Sequence, residues 1–153
     1  MLNINNKEYE SIVKDIIENK EFIKLKKIKH HGISRYEHLV NISYRAYVMA
    51  KKRKLDYKSV ARGGILHDFY LDGNERSKLR RFLDTFTHPK KALITCRKIF
   101  QLNKLEENII ISHMFPFYPA IPKYRESFLV GFVDKIWGLK EMIACLFRIF
   151  KHN

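Results

Sequence analysis

A chain of 153 residues, 46% of them hydrophobic, is one domain's worth of polypeptide: long enough to bury roughly 70% of its unfolded surface and too apolar to be disordered. Two cysteines, Cys96 and Cys145, exclude a disulfide framework or a CxxC zinc site, and no run of 18 apolar residues is present to cross a membrane. Lys and Arg total 30 against 16 Asp and Glu, a net charge of +14, which predicts affinity for polyanions such as nucleotides, nucleic acid or acidic lipid.

The polar start MLNINNKEYE lacks the apolar segment of a signal peptide, so a cytoplasmic protein with no membrane partner is expected. From there the chain reads as helix after helix, and no stretch alternates apolar and polar residues for long enough to make a strand. Residues 7–29 place Ile12, Val13, Ile16, Ile17, Phe22, Ile23 and Leu25 on one apolar face, with a break expected near Asn19. Ser34 followed by Glu37 is a capping box, in which each side chain bonds the other's backbone N–H. The helix it opens carries Leu39, Val40, Ile42, Ala46, Tyr47 and Ala50 and ends near Arg53 in the run KKRK. Asp56 can cap the next helix. Its Gly63–Gly64 pair costs on the order of 1–2 kcal/mol of helix propensity, which predicts close packing of another helix there.

The polar stretch 70–86 contains the turn signal Asp72–Gly73–Asn74. Thr87 and Pro89 are expected to open a helix reaching about Phe100. Asn103 with Glu106 opens another, ending near Met114. FPFYPAIP, residues 115–122, holds three prolines in eight residues and is a loop. Two C-terminal helices are expected at about 124–137 and 139–151, broken at Gly138. The apolar run FLVGFVDKIWGLKEMIACLFRIF suggests a dimer face or a membrane contact, but its charged interruptions favour a core helix pair. The architecture predicted is a single all-α domain over residues 1–153, a bundle of about seven helices, without repeats or linkers. Its N-terminal helices span about 7–29 and its functional core about 31–141.

Of seven histidines, four sit beside helix signals and far apart in sequence: His38, His67, His88 and His113. His67 is followed by Asp68, and Asp134 lies in an apolar run, where a carboxylate is expensive unless paired or bound to metal. Imidazole with carboxylate suits borderline and hard divalent ions. Any one of these residues alone is more simply a hydrogen-bonded core or helix-end group. Their joint order and spacing make the pattern specific. The order H…HD…H…H…D, carried by RYEHLVNIS, ILHDF, THPKKA, ISHMFP and GFVDKIWGLKE, resembles the HD superfamily of metal-dependent phosphohydrolases.

Within that superfamily the chain is most similar to small bacterial HD proteins with HGxxSxxEH, LLHD, THP, HMxP and VDK segments, a group without a settled substrate. It bears a more distant likeness to HD hydrolases that split diadenosine tetraphosphate, through Arg35-x-x-His38, the HD pair and the two later histidines. The HDxxED extension of alarmone hydrolases and the GYP motif of cyclic-di-GMP hydrolases are absent. Carried over residue by residue, the resemblance implies one or two divalent ions. His38, His67, Asp68 and Asp134 would hold the first. Asp68, bridging, with His88 and His113 would hold the second, roughly 3.5–4 Å away. Candidate metals are Mn, Fe, Ni, Co, Zn or Mg, with Mn or Fe favoured because imidazole-rich sites disfavour Mg.

The remaining candidates flank these ligands. Arg35 shares a helix face with His38 and is either a catalytic and substrate-binding phosphate clamp or a solvated arginine. His31 lies in the HGxxSxxEH segment as a substrate-side group or proton donor, or as half of an exposed pair with His30. Lys123, after the proline-rich loop, is a candidate phosphate contact. Lys135 is expected to pair with a carboxylate or reach the cleft edge. Phe115, Phe117 and Tyr118 either stack on a base or pack in the core. Asp72 either supports a ligand histidine or only shapes a turn. The basic runs are dispersed, so nucleic acid is a possible partner but not the favoured one.

The expected function is a phosphohydrolase acting through a metal-bound hydroxide on a small phosphorylated substrate, a nucleotide or phosphate ester, with Asp68 and Arg35 as its catalytic residues. One rival is a non-catalytic HD module that binds a nucleotide or nucleic acid. The other is a helical interaction protein with structural histidines. The oligomeric state is left open.

Overall fold

Side-chain caps set most of the helix starts. In this computed structural model, which describes residues 6–30, 32–71 and 78–151, Asn6 accepts from the Tyr9 N–H and opens α1 (Lys7–Ile17). The break expected near Asn19 is present: Asn19 caps α2 (Lys20–Ile23), which runs into a 3-10 turn over Lys24–Lys27. Two short strands the periodicity did not predict, β1 (Lys29–His30) and β2 (Ile33–Ser34), pair antiparallel with Lys29 opposite Ser34. The capping box of Ser34 and Glu37 forms as expected and starts α3 (Arg35–Lys52). Asp56 caps α4 (Tyr57–Leu66) through the Ser59 N–H. A second capping box, Asn103 with Glu106, starts α6 (Lys104–Ser112).

Two boundaries differ from expectation. Helix α5 runs from Lys78 to Ile99, with Pro89 inside it rather than at its start. Proline's fixed φ suits a helix, and the cost, about 3 kcal/mol, is the bond its N–H would have made one turn back together with the crowding of its ring against that carbonyl. Helix α7 runs unbroken from Arg125 to Lys151, so the break at Gly138 is absent. A lone glycine costs about 1 kcal/mol in a helix, too little to end one held by packing on both sides of it. The described residues thus form seven α-helices and one minimal hairpin, an all-α bundle. No helix among them is long and apolar enough to cross a membrane.

Helix α4 lies at the centre, against α1, α3, α6 and α7. Its two glycines make this possible. A Cβ on Gly64 would sit 3.2 Å from the Ser43 Cα of α3, and one on Gly63 would sit 2.8 Å from the Ile109 side chain of α6. The close packing predicted from the glycine pair is therefore real, on two sides at once. Ser43 also ties three helices together: it accepts from the Tyr9 hydroxyl at 2.9 Å and donates to the Ala61 carbonyl at 2.7 Å. Leu39, Tyr47, Ile65, Leu66, Phe69 and Ile110 fill one core cluster. Ile42, Ala46, Val60, Ile109, Val130 and Val133 fill the other, between α3, α4, α6 and α7. The C-terminal ends of α4 and α6 are thereby held beside α3 and α7, and it is at these ends that His67 and His113 lie.

Candidate metal centre

His67 and His113 are built alike. Each follows the last residue of a helix, α4 and α6 respectively, where carbonyls lack the next turn's N–H. The Nδ1 of His67 lies 2.7 Å from the Gly64 carbonyl, and that of His113 lies 2.8 Å from the Ile110 carbonyl. A carbonyl only accepts, so Nδ1 carries the proton in both rings and Nε2 is left as the donor atom toward the interior. His38, in the first turn of α3, is held by a carboxylate instead: its Nδ1 is 2.7 Å from Glu141 Oε2.

The Nε2 atoms of His38 and His67 converge on Asp134 Oδ1, at 3.2 and 3.4 Å. On the other side, His88 Nε2 lies 3.0 Å from His113 Nε2 and 3.7 Å from Asp68 Oδ1. The result is two buried or half-buried groups, His38–His67–Asp134 and Asp68–His88–His113, each with ligand atoms within 4.8 Å of one another and able to hold a metal ion. They share a wall, because His67 and Asp68 are consecutive and the His67 and His113 rings meet edge to face with centroids 4.8 Å apart. All six residues expected from the sequence come together. Asp68 falls in the second group.

The donor chemistry fits a divalent cation. His113 Nε2 presents a lone pair 3.0 Å from His88 Nε2, a contact that a proton on His88 Nε2 satisfies in the metal-free site and that a cation could take over. Two imidazoles and one carboxylate per group suit Mn, Fe, Co, Ni or Zn better than Mg. The field agrees. Burial, with the nearby His67 and His88, pushes the His113 pKa down to about 3, so this ring stays neutral and ready to ligate. Burial also opposes charge on Asp134, but His67, His38 and His113 outweigh it and hold the carboxyl well below the usual range. At His38, burial is likewise outweighed: the Asp134 and Glu141 carboxylates, one on each ring nitrogen, push its pKa up to about 10.

A pH dependence follows. Below pH 10 the metal-free site carries a proton on His38 that a cation must displace, whereas His113 offers none above pH 3. Metal binding near neutral pH is therefore expected to release about one proton, and affinity should rise roughly tenfold per pH unit until His38 is deprotonated. Calorimetry in two buffers of different ionisation enthalpy measures this. A pH-independent affinity would contradict it.

Arg35 is 6% exposed. Its guanidinium donates to the Tyr70 carbonyl at 2.9 Å and to the Tyr70 hydroxyl at 3.2 Å, with its Nε 3.8 Å from Asp68 Oδ2. It also lies 4.1 Å from the centre of the Tyr70 ring, and that ring stacks on His88. Arg35 is thus neither solvated nor at the rim. It braces the segment that presents Asp68. Lys123 is exposed and lines a separate cleft of about 270 Å³ with Leu93, Arg97, Lys104 and Tyr124, outside both ligand groups. Phe117 is exposed, while Phe115 and Tyr118 are half-buried. His31 and Asp72 lie outside the described residues.

Among the described residues, Lys135 pairs with no carboxylate in hydrogen-bond range. It donates to the carbonyls of His113 at 2.7 Å and Gly131 at 3.2 Å, pinning α7 to the end of α6. A Cβ on Gly131 would meet the His113 carbonyl oxygen at 2.9 Å. Gly131→Ala gains about 1 kcal/mol of helix propensity, but that contact is with backbone and has to be relieved by moving α7, at a cost of about 1–3 kcal/mol. The net expectation is a lower melting temperature together with weaker metal binding, since Asp134 rides one turn further along α7. Metal affinity unchanged in this variant would argue against the placement of α7.

The sequence reading missed two residues of the site, Glu141 and Tyr70. Glu141 was findable: seven residues after Asp134, it lies two helical turns along the same face. No family model, curated protein or solved structure matches the chain.

Proposed function

We propose that the protein is a divalent-metal-dependent phosphohydrolase of the HD superfamily, acting on a nucleotide or small phosphate ester. The observation that carries the proposal is the pair of adjoining two-histidine, one-carboxylate groups built around the consecutive His67 and Asp68. Helices far apart in sequence supply the same ligand chemistry twice, side by side, as phosphate-ester hydrolysis with two ions requires.

Bound divalent ions would supply Lewis acidity, drawing charge from phosphoryl oxygens and lowering the pKa of a water. The chain's own residues do the rest. His38, His67 and Asp134 would hold one ion and Asp68, His88 and His113 the other. The Gly64 and Ile110 carbonyls and Glu141 fix the tautomers that turn each Nε2 inward. Arg35 holds Asp68 and Tyr70 in place and lends positive charge beside the phosphate. The net charge of +14 draws anionic substrates toward the molecule.

The test is elemental analysis of protein purified without chelators, followed by a nucleotide and phosphoester screen with Mn or Fe added. The expected outcome is bound transition metal and metal-dependent phosphate release. Metal without turnover of any substrate would favour a binding module, and no metal at all would leave the histidines structural.

A further inference from the structure

One face of α7 has no part in the metal centre. Asp134 and Glu141 both turn toward His38, and Glu126, the remaining acid of this helix, accepts the Asp56 N–H at 3.2 Å. Nearly opposite Asp134 and Glu141, Phe128, Phe132, Leu139, Met142, Ile143 and Phe147 are 41% to 71% exposed. At about 100° per residue they fall within an arc of roughly 140°. Arg125 and Lys140, also exposed, lie within that arc or at its edge. Among the described residues, the exposed face of α7 is thus apolar and cationic, with every acid directed elsewhere. The sequence pattern assigned this segment to a core helix pair. The exposure of six large apolar side chains limits that assignment to the opposite face, where Leu129, Val130 and Val133 are buried in the core.

An exposed apolar surface of this extent marks a contact with another molecule or phase, and charge decides which. A second copy of the chain would bring another +14 against a face that offers it no acid. An anionic bilayer surface accepts both features: apolar rings enter the acyl boundary while flanking cations meet acidic headgroups. We propose that α7 docks the protein on an anionic lipid surface, lying in the plane of the interface with Phe128, Phe132, Leu139, Ile143 and Phe147 inserted. No described helix is long and apolar enough to cross the bilayer, so the contact is peripheral. It departs from the expectation of no membrane partner. Bound in this way, α7 would hold its inward face, with Asp134 and Glu141, directed away from the lipid.

Co-sedimentation of the full chain with phosphatidylcholine vesicles, with and without phosphatidylglycerol, tests the proposal. Binding is expected to the phosphatidylglycerol vesicles, at least about tenfold weaker to phosphatidylcholine alone and weakened by salt. Phe132→Glu with Phe147→Glu should cut binding at least about tenfold while metal affinity stays that of the unaltered chain. Lys140→Glu, which removes an exposed cation lying 4.4 Å from the centre of the Trp137 ring, should weaken binding less and independently. Equal binding to both vesicle types would overturn the proposal. So would undiminished binding by the Phe132/Phe147 variant, which would reduce the effect to net charge. A dimer in the absence of lipid that the same variant converts to monomer would assign the face to a second copy instead.

Discussion

Replacing Asp68 with alanine is expected to cut turnover at least about 10³-fold while leaving the helical fold in place. Asp68 contributes the only carboxylate to the group it forms with His88 and His113. Without it, two neutral imidazoles must hold a dication unaided. Even for unit charges 4 Å apart at an effective dielectric near 20, the lost attraction is about 4 kcal/mol, close to three powers of ten in rate or affinity. Geometric fixing of the reacting water is lost as well, an effect also worth several kcal/mol. The fold should survive because the hydrophobic clusters on either side of α4 do not depend on this carboxylate. Arg35 also keeps its two bonds to Tyr70. Circular dichroism, bound metal and initial rate measured on one preparation check all three parts. Wild-type turnover in Asp68→Ala would remove Asp68 from the catalytic site.

The second large effect is on stability. Stripping the metal should lower the melting temperature by about 8–16 °C relative to protein saturated at a thousand times the dissociation constant. Binding of that strength adds about 4 kcal/mol, and each kcal/mol moves the midpoint by about 2–4 °C in a chain near this size. The mechanism is local. Metal-free, the site crowds His38, His67, His88 and His113 around two carboxylates, with a proton on His38 standing in for a cation. A metal ion would replace that makeshift pairing and tie the ends of α4 and α6 to α3, α5 and α7. His113→Ala should lose part of the metal-dependent shift and His38→Ala another part, because the two lie in different groups. A melting temperature indifferent to chelation and metal addition would count against both groups.

The six residues of the two candidate metal groups were legible because their order and spacing carry them, and because the helix starts beside them announce themselves in capping chemistry. Ser34 with Glu37 places His38 in a first turn, and Asn103 with Glu106 sets the start of α6, so that His113 falls just beyond its end. Gly63–Gly64 likewise reported the crossing of helices before it was seen. Local signals failed where tertiary packing overrode them. Gly138 reads as a breaker, yet α7 passes through it, and that false break separated Glu141 from Asp134 and hid the partner of His38. Pro89 reads as a helix start because proline favours the first turn, yet α5 is already under way at Lys78. Arg35 shared a face with His38 on paper, but its contacts with Tyr70 and Asp68 join residues some 35 positions apart. No periodicity shows such a contact. Lys123 followed from loop position alone, and position along a loop does not say which cleft a side chain lines.

The most direct test of the account is a titration of turnover with metal. Protein stripped by chelator should release no phosphate from a nucleotide panel. As Mn is added back, release should appear and saturate near about two ions per chain, the number the paired groups are built to hold. Phosphate release that persists in fully stripped protein, or that is absent at every metal ratio, would contradict a two-ion phosphohydrolase.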